Sequence, residues 1–252
     1  SILKNIANKF NIFFVNHEKN IGGRYSCFSV TGLLPLNLAG YNASNAKKMA
    51  DTFFNNILLN NKKENLNSTC ILSSIIKKKK YTGHVFLCYL DNYYQLGQWY
   101  KQLWNESLGK EQLGLHLITA QGAIDQHSQL QMWMDGPKNL IFSVVLPKKR
   151  AKDLKVQDKR KILPYYLKNK KAGEILNIMG EATVFELKKA GIPTRIIYVD
   201  DDGINEAINL MANLMLEVTF IAKLIGIDPF SQPSVEKVKF RTKELLKNYE
   251  SD

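Results

Sequence analysis

At 252 residues, with 45% hydrophobic and 10% aromatic side chains, the chain has the composition of an ordinary folded protein, with room for one large or two small domains. A net charge of +12 raises nucleic acid first, but no helix-turn-helix, zinc-finger or RNP pattern accompanies the basic clusters; a solvated surface and no nucleic-acid partner are expected. No apolar run nears the eighteen or so residues of a membrane span, no charged-then-apolar leader is read at Ser1, and three cysteines without metal-ligand spacing point to a reducing, cytoplasmic setting.

The chain opens without methionine, directly in an amphipathic segment, which makes a fragment or a processed product the expectation. Residues 11–15 (NIFFV) read as a short buried strand, broken by Gly22 and Gly23. Helical apolar spacing begins at residues 33–39. It becomes unmistakable over 45–59, where Ala46, Met49, Ala50, Phe53, Phe54, Ile57 and Leu58 recur at i, i+3, i+4, with Asn42 or Ser44 as N-cap. Residues 60–67 read as a polar loop, and 71–76 lead into the lysine run 77–80 as a solvated connection. Strands are predicted at 84–90, 115–119, 140–146 and 195–199. Helices are predicted at 93–107, from 125 onward, at 171–190, at 203–226 and at 233–248. The helix at 171–190 is read with Ile175, Ile178, Met179, Phe185 and Leu187 on one side. Strands alternating with helices, several of them continuous apolar runs, predict a parallel sheet covered on both faces, with ligands at the carboxyl ends of its strands.

Four polar motifs fall at element junctions. In IGGRYS two glycines permit a tight turn and close backbone approach, and Arg24 offers a cationic fork to an oxyanion. In QLWNESLGK, Glu106 stands between Trp104 and Leu108, apolar neighbours suited to turning a carboxylate into a base. In AIDQHSQLQMWMDG, five polar residues open a helix, and His127 among them is able to relay protons at neutral pH; Leu130, Met132, Trp133 and Met134 are read as the face that anchors it. In DPFSQPSVEKVK, a turn leads into a helix that presents Gln232 and Lys239.

In this order, the four motifs resemble those of the glucose-6-phosphate isomerase (phosphoglucose isomerase) family. IGGRYSCFSVTGLLPLNLAG is similar to its Gly-Gly-Arg-Phe/Tyr-Ser signature and following helix, QLWNESLGK to its Gln-Leu-x-x-Glu-Ser-x-Gly-Lys segment, TAQGAIDQHSQLQMWMDGPKNLIF to its Asp-Gln-His-Ser stretch, and DPFSQPSVEKVK to its closing Gln-Pro-Gly-Val-Glu-x-Gly-Lys. Together they cover essentially the whole chain.

The resemblance implies interconversion of glucose 6-phosphate and fructose 6-phosphate with no metal or organic cofactor. It implies Glu106 as the base acting through a cis-enediolate, Arg24 as the charge stabiliser, His127 and Lys239 in ring opening, and Gly23, Gln102 and Gln232 in substrate binding. It further implies a homodimer in which His127 reaches the neighbouring subunit, and sugar-isomerase (SIS) lobes of three-layer α/β/α type with a parallel sheet and a helical C-terminal segment. Three segments are expected: a remnant of the first lobe with connecting helices (1–80), the second lobe (81–226) and a C-terminal helix (227–252). Two departures stand out. Ser234 and Val238 replace glycines of the closing motif, and no Ser-Lys-Ser/Thr-rich phosphate loop occurs, since the family's first lobe lies mostly upstream of Gly-Gly-Arg. Weak activity or none, and exposed apolar surface, are expected of these residues alone. The alternative is a non-catalytic SIS-type sugar-phosphate binding module, which would not need Glu106.

Overall fold

The computed structural model describes residues 2–59, 66–150, 153–157 and 162–249. The chain forms two compact units, residues 1–61 and 62–252.

The first unit begins with helix α1 (Ile2–Lys9), followed by an extended stretch, a 3-10 turn (Gly23–Phe28) and helices α2 (Val30–Leu38) and α3 (Ala43–Leu59). Residues 11–15 are not the buried strand the sequence predicts. The N–H groups of Asn11 and Ile12 donate to Asn8 O and Ala7 O (3.3 and 2.8 Å), closing α1, and Asn11 takes φ +51°. The extended stretch beyond Ile12 pairs with no strand among the described residues, so Phe13 is left 89% exposed. Helix α3 matches its apolar pattern: Ala46 and Ala50 are buried, and Phe54 meets Phe28 edge-on at 6.2 Å. Asn42 caps it, its Oδ1 accepting from Asn45 N at 2.9 Å.

The second unit is built on a parallel sheet of order β2-β1-β3-β4, formed by β1 (Gly83–Cys88), β2 (His116–Gln121), β3 (Leu140–Pro147) and β4 (Thr194–Val199). Its continuous apolar strands are buried on both faces, as the sequence pattern requires. Val85, Leu87, Phe142, Val144 and Leu146 face helices α6 (Ile124–Asp135) and α7 (Ala172–Lys189). The alternate residues His84 and Phe86 face α5 (Tyr94–Leu108), meeting Trp104 and Tyr100 edge-on. Helix α8 (Ile204–Ile225) packs against α5 and also meets α4 (Leu66–Lys78).

Two sequence expectations change here. Residues 60–65 lie outside the described residues, but Asn67 and residues 71–76 are helical rather than loop and solvated connection. Thr69, Leu72, Ser73 and Ile76 form the buried stripe of α4, and its two hydroxyl residues disguise the helical period. In α7 the inward face is Leu176, Met179, Gly180, Thr183, Val184 and Leu187, whereas Ile178 and Phe185 are exposed. Gly191 and Gly226 end α7 and α8 at positive φ (74° and 83°), where a side chain would be strained. Helix α8 is long and apolar enough to cross a membrane by length and composition. Half of that window is buried inside the fold, and the helix carries Glu217 in an ion pair with Arg195, as a core helix does. The last helix, α9 (Pro233–Lys247), buries none of its residues.

Candidate functional site

Helix α5 runs back along the sheet from the carboxyl end of β1, so its last turn lies at the amino end of the strands. Trp104 Nε1 donates to Leu115 O (2.7 Å), and Asn105 takes both backbone groups of Leu117, accepting from its N–H at 2.8 Å and donating to its carbonyl at 3.4 Å. These bonds pin the turn that carries Glu106 to the start of β2. Gln102, one turn earlier, donates from Nε2 to Glu106 Oε1 (3.2 Å). Glu106 is partly exposed, and the expectation that Trp104 and Leu108 wrap it does not hold: both are fully buried and turned into the sheet. Residues two apart on a helix point nearly opposite ways, so these neighbours in sequence are not neighbours in space.

Lys110, the last residue of the same motif, joins this end to the closing motif. Its ammonium donates to Ser107 O (3.0 Å) and Asp228 O (2.6 Å). Asp228 in turn accepts from the N–H groups of Phe230 and Ser231 (2.9 and 3.1 Å), and the first of these bonds is the main reason its carboxyl sits below the ordinary value. The loop so shaped delivers Gln232 as the N-cap residue of α9. Lys239 lies nearly two turns into α9, exposed, with its ammonium on Glu236 (2.8 Å) rather than on Glu106.

His127 stands at the other end of the sheet. The run predicted to open a helix does so: Gln121 ends β2 and Ile124 begins α6. Asp125 accepts from Gln121 N (2.7 Å), Gln129 Nε2 (2.9 Å) and Ser128 Oγ (3.0 Å). Partial burial works to raise its pKa, but these three bonds outweigh it and hold the carboxyl below the usual range. Trp133 is buried, Leu130 and Met134 pack beside it, and Met132, expected in the same face, is exposed. The His127 ring is exposed. The six residues of a strand separate the two ends, about 20 Å. The carboxyl end, where the parallel sheet is expected to bind ligands, therefore holds His127, whereas Glu106 and Gln232 lie at the amino end. The signal was already present, because a motif in the last turn of a helix after a strand must return to that strand's amino end.

The first unit carries Gly23 and Arg24. Ser26 Oγ donates to Gly23 O (2.7 Å), and Arg24 is buried, 3% exposed, with its guanidinium over the Tyr25 ring at 5.5 Å. Gly22 and Gly23 do not take positive φ, and a Cβ at either meets nothing within 4 Å, so no tight turn demands them and the backbone there is open to approach.

Sequence reading missed a buried polar cluster under α5 and α8. Arg195 grips Glu217 with two bonds (2.5 and 2.9 Å) and donates from Nε to Ser143 Oγ (2.6 Å), which lies 2.7 Å from His84 Nε2; Tyr100 OH donates to Glu217 (3.2 Å). A glutamate inside an apolar helical stripe was the available sign. No group of three or more metal-ligating side chains occurs among the described residues.

No family model matches the chain. It is 31% identical to a glucose-6-phosphate isomerase of Methanocaldococcus jannaschii over 97% of its own length and 61% of the relative's. It is 33% identical to that of Campylobacter jejuni, over 93% and 58%. The chain is a homologue of the glucose-6-phosphate isomerases. It spans between half and two thirds of the length of these curated relatives. Among solved structures, a hypothetical protein of Thermus thermophilus superposes with a TM-score of 0.88 at 27% identity, over 97% of this chain and 60% of that one. A glucose-6-phosphate isomerase of Chlamydia trachomatis superposes at 0.78 with 17% identity, over 94% and 48%, a likeness of fold alone. The fold is the α/β/α sandwich expected, with its parallel sheet and helical C-terminal segment.

Proposed function

We propose that this chain carries the acid–base half of a glucose-6-phosphate isomerase and acts on a sugar phosphate as an aldose–ketose isomerase. The observation that carries the reading is the amino end of the sheet. There Gln102 holds Glu106 at 3.2 Å, and Lys110 ties the same turn to the loop that delivers Gln232, in a chain related along 97% of its length to enzymes of that name.

In this reading Glu106 removes the C2 proton of open-chain glucose 6-phosphate, and the charge moves onto oxygen as a cis-enediolate. The same carboxyl returns the proton to C1 while the O2 proton passes to O1, giving fructose 6-phosphate. Arg24 stabilises the enediolate with a buried, fixed guanidinium. Gly23, Gln102 and Gln232 orient the sugar. Lys239 and His127 assist ring opening, for which Lys239 leaves Glu236, an exposed and weak pairing.

His127 lies a sheet-length from Glu106, so one copy does not supply both to one substrate. A homodimer in which each copy lends His127 to its neighbour accounts for this separation. Residues 1–80, 81–226 and 227–252 are proposed as first-lobe remnant, second lobe and C-terminal helix. The 252 residues alone are expected to turn over weakly or not at all, because the phosphate loop of the family has no counterpart in them.

The test is conversion of fructose 6-phosphate to glucose 6-phosphate by the complete gene product, with Glu106→Gln beside it. The expected result is turnover in the parent and a loss of about two to four orders of magnitude in the variant. A silent parent, or an active variant, contradicts the proposal.

A further inference from the structure

Within the polar run at the mouth of α6, His127 differs from its neighbours. Gln126 accepts from Tyr89 OH (2.9 Å), and that hydroxyl also contacts Thr183 Oγ1 on α7 (3.0 Å). Ser128 and Gln129 both donate to Asp125. Among the described residues the His127 ring makes no hydrogen bond and is exposed. Its direction is therefore set by the backbone turn beneath it, not by contacts of its own.

That turn has few attachments. Ala123, the N-cap residue of α6, supplies no side-chain cap, so the first turn of the helix lacks the usual fastening. Asp125 supplies it instead from inside the helix. It reaches back to the N–H of Gln121, the last residue of β2, and forward one turn to Ser128 and Gln129, bracketing His127. A carboxylate in a helix's first turn also meets the positive end of the helix dipole. Gly122, between clamp and strand, has no room for a side chain, since a Cβ there collides with the Tyr89 ring.

We propose that Asp125 is the positioning residue for His127: its carboxylate locks the first turn of α6 to the end of β2, so that the backbone from which the imidazole projects is fixed before its substrate is met. This rests on the reading that His127 serves a site on a neighbouring copy. A side chain lent to another subunit is not oriented by that site until the two assemble, so its own chain must orient it. A misplacement of about 1 Å at a reacting group costs roughly 100-fold in rate.

Asp125→Ala and Asp125→Asn in the complete gene product test this. In Asp125→Ala, kcat is expected to fall by about 10- to 100-fold with KM within about twofold. Asp125→Asn, whose amide oxygen still accepts from Gln121 N–H, is expected to restore kcat to within about fivefold of the parent. A twofold change or less in Asp125→Ala, equal losses in both variants, or a rise in KM matching the loss in kcat overturns the proposal. A second readout does not depend on turnover. With labelled backbone amides, the turn from Asp125 to Ser128 is expected to be ordered in the parent and mobile in Asp125→Ala. Equal order in both overturns the clamp. A silent parent whose turn loosens in Asp125→Ala leaves the clamp standing and removes the isomerase reading instead.

Discussion

Glu106 and Trp104 sit two residues apart on α5 and face opposite ways, one toward solvent and one into the sheet. The residue types of the motif were legible in the sequence; the wrapping of the acid was not, because linear neighbours on a helix diverge by roughly 200°. The same limit hid His84, which reads as one more member of a buried strand. Arg195 Nε donates to Ser143 Oγ, which is also hydrogen-bonded to His84 Nε2, so the buried imidazole lies one hydroxyl away from a fixed positive charge. Burial first, and the nearby Arg195 charge second, push the His84 pKa well below 6.5. The unfolded chain takes up that proton near 6.5 and the folded chain does not. This contribution to stability is therefore complete above pH 6.5 and declines as the pH drops below it, by up to about 1.4 kcal/mol per pH unit. Urea unfolding between pH 7.5 and 5 is expected to show this slope, and His84→Gln is expected to flatten it. An equal slope in parent and variant contradicts the assignment.

The strands of the sheet and most helices follow from period and punctuation, because an apolar run of six between polar turns has few other ways to bury itself. The two failures have opposite causes. Residues 11–15 have strand composition but no partner edge, and composition alone does not supply one. Helix α4 has a partner, but its stripe alternates leucine and isoleucine with Thr69 and Ser73, so the apolar period breaks down in the sequence while the packing remains. The Ser73 hydroxyl satisfies itself on Thr69 O at 2.7 Å, which lets it lie in a buried face. Leu72 is buried on that face and Ile71 is 61% exposed beside it. Leu72→Ala is expected to destabilise the second unit by about 2–4 kcal/mol and Ile71→Ala by less than about 1 kcal/mol, measured by urea unfolding. Similar small losses at both positions would return α4 to the role of a solvated connection.

At the scale of the whole molecule, a parallel sheet has two distinct ends, and the candidate residues are divided between them. The order β2-β1-β3-β4 puts the turn bearing His127 after an edge strand, at the carboxyl end. The return of α5 and α8 brings Glu106, Lys110, Asp228 and Gln232 to the amino end. The motifs are legible one by one; their division is not, because it depends on which way each helix runs along the sheet. In the homodimer proposed above, division by a sheet-length is what lets each copy lend His127 to the other's Glu106.

The most direct measurement is a mixing experiment with two variants of the complete gene product, Glu106→Gln and His127→Gln, each assayed alone and after co-refolding. Alone, each is expected to be nearly silent with fructose 6-phosphate. In an equal mixture half of the dimers are hybrids, and each hybrid has one site with an intact Glu106 from one copy and an intact His127 from the other. Recovery of about one quarter of the parent activity is predicted. A mixture as silent as its components would contradict the shared site.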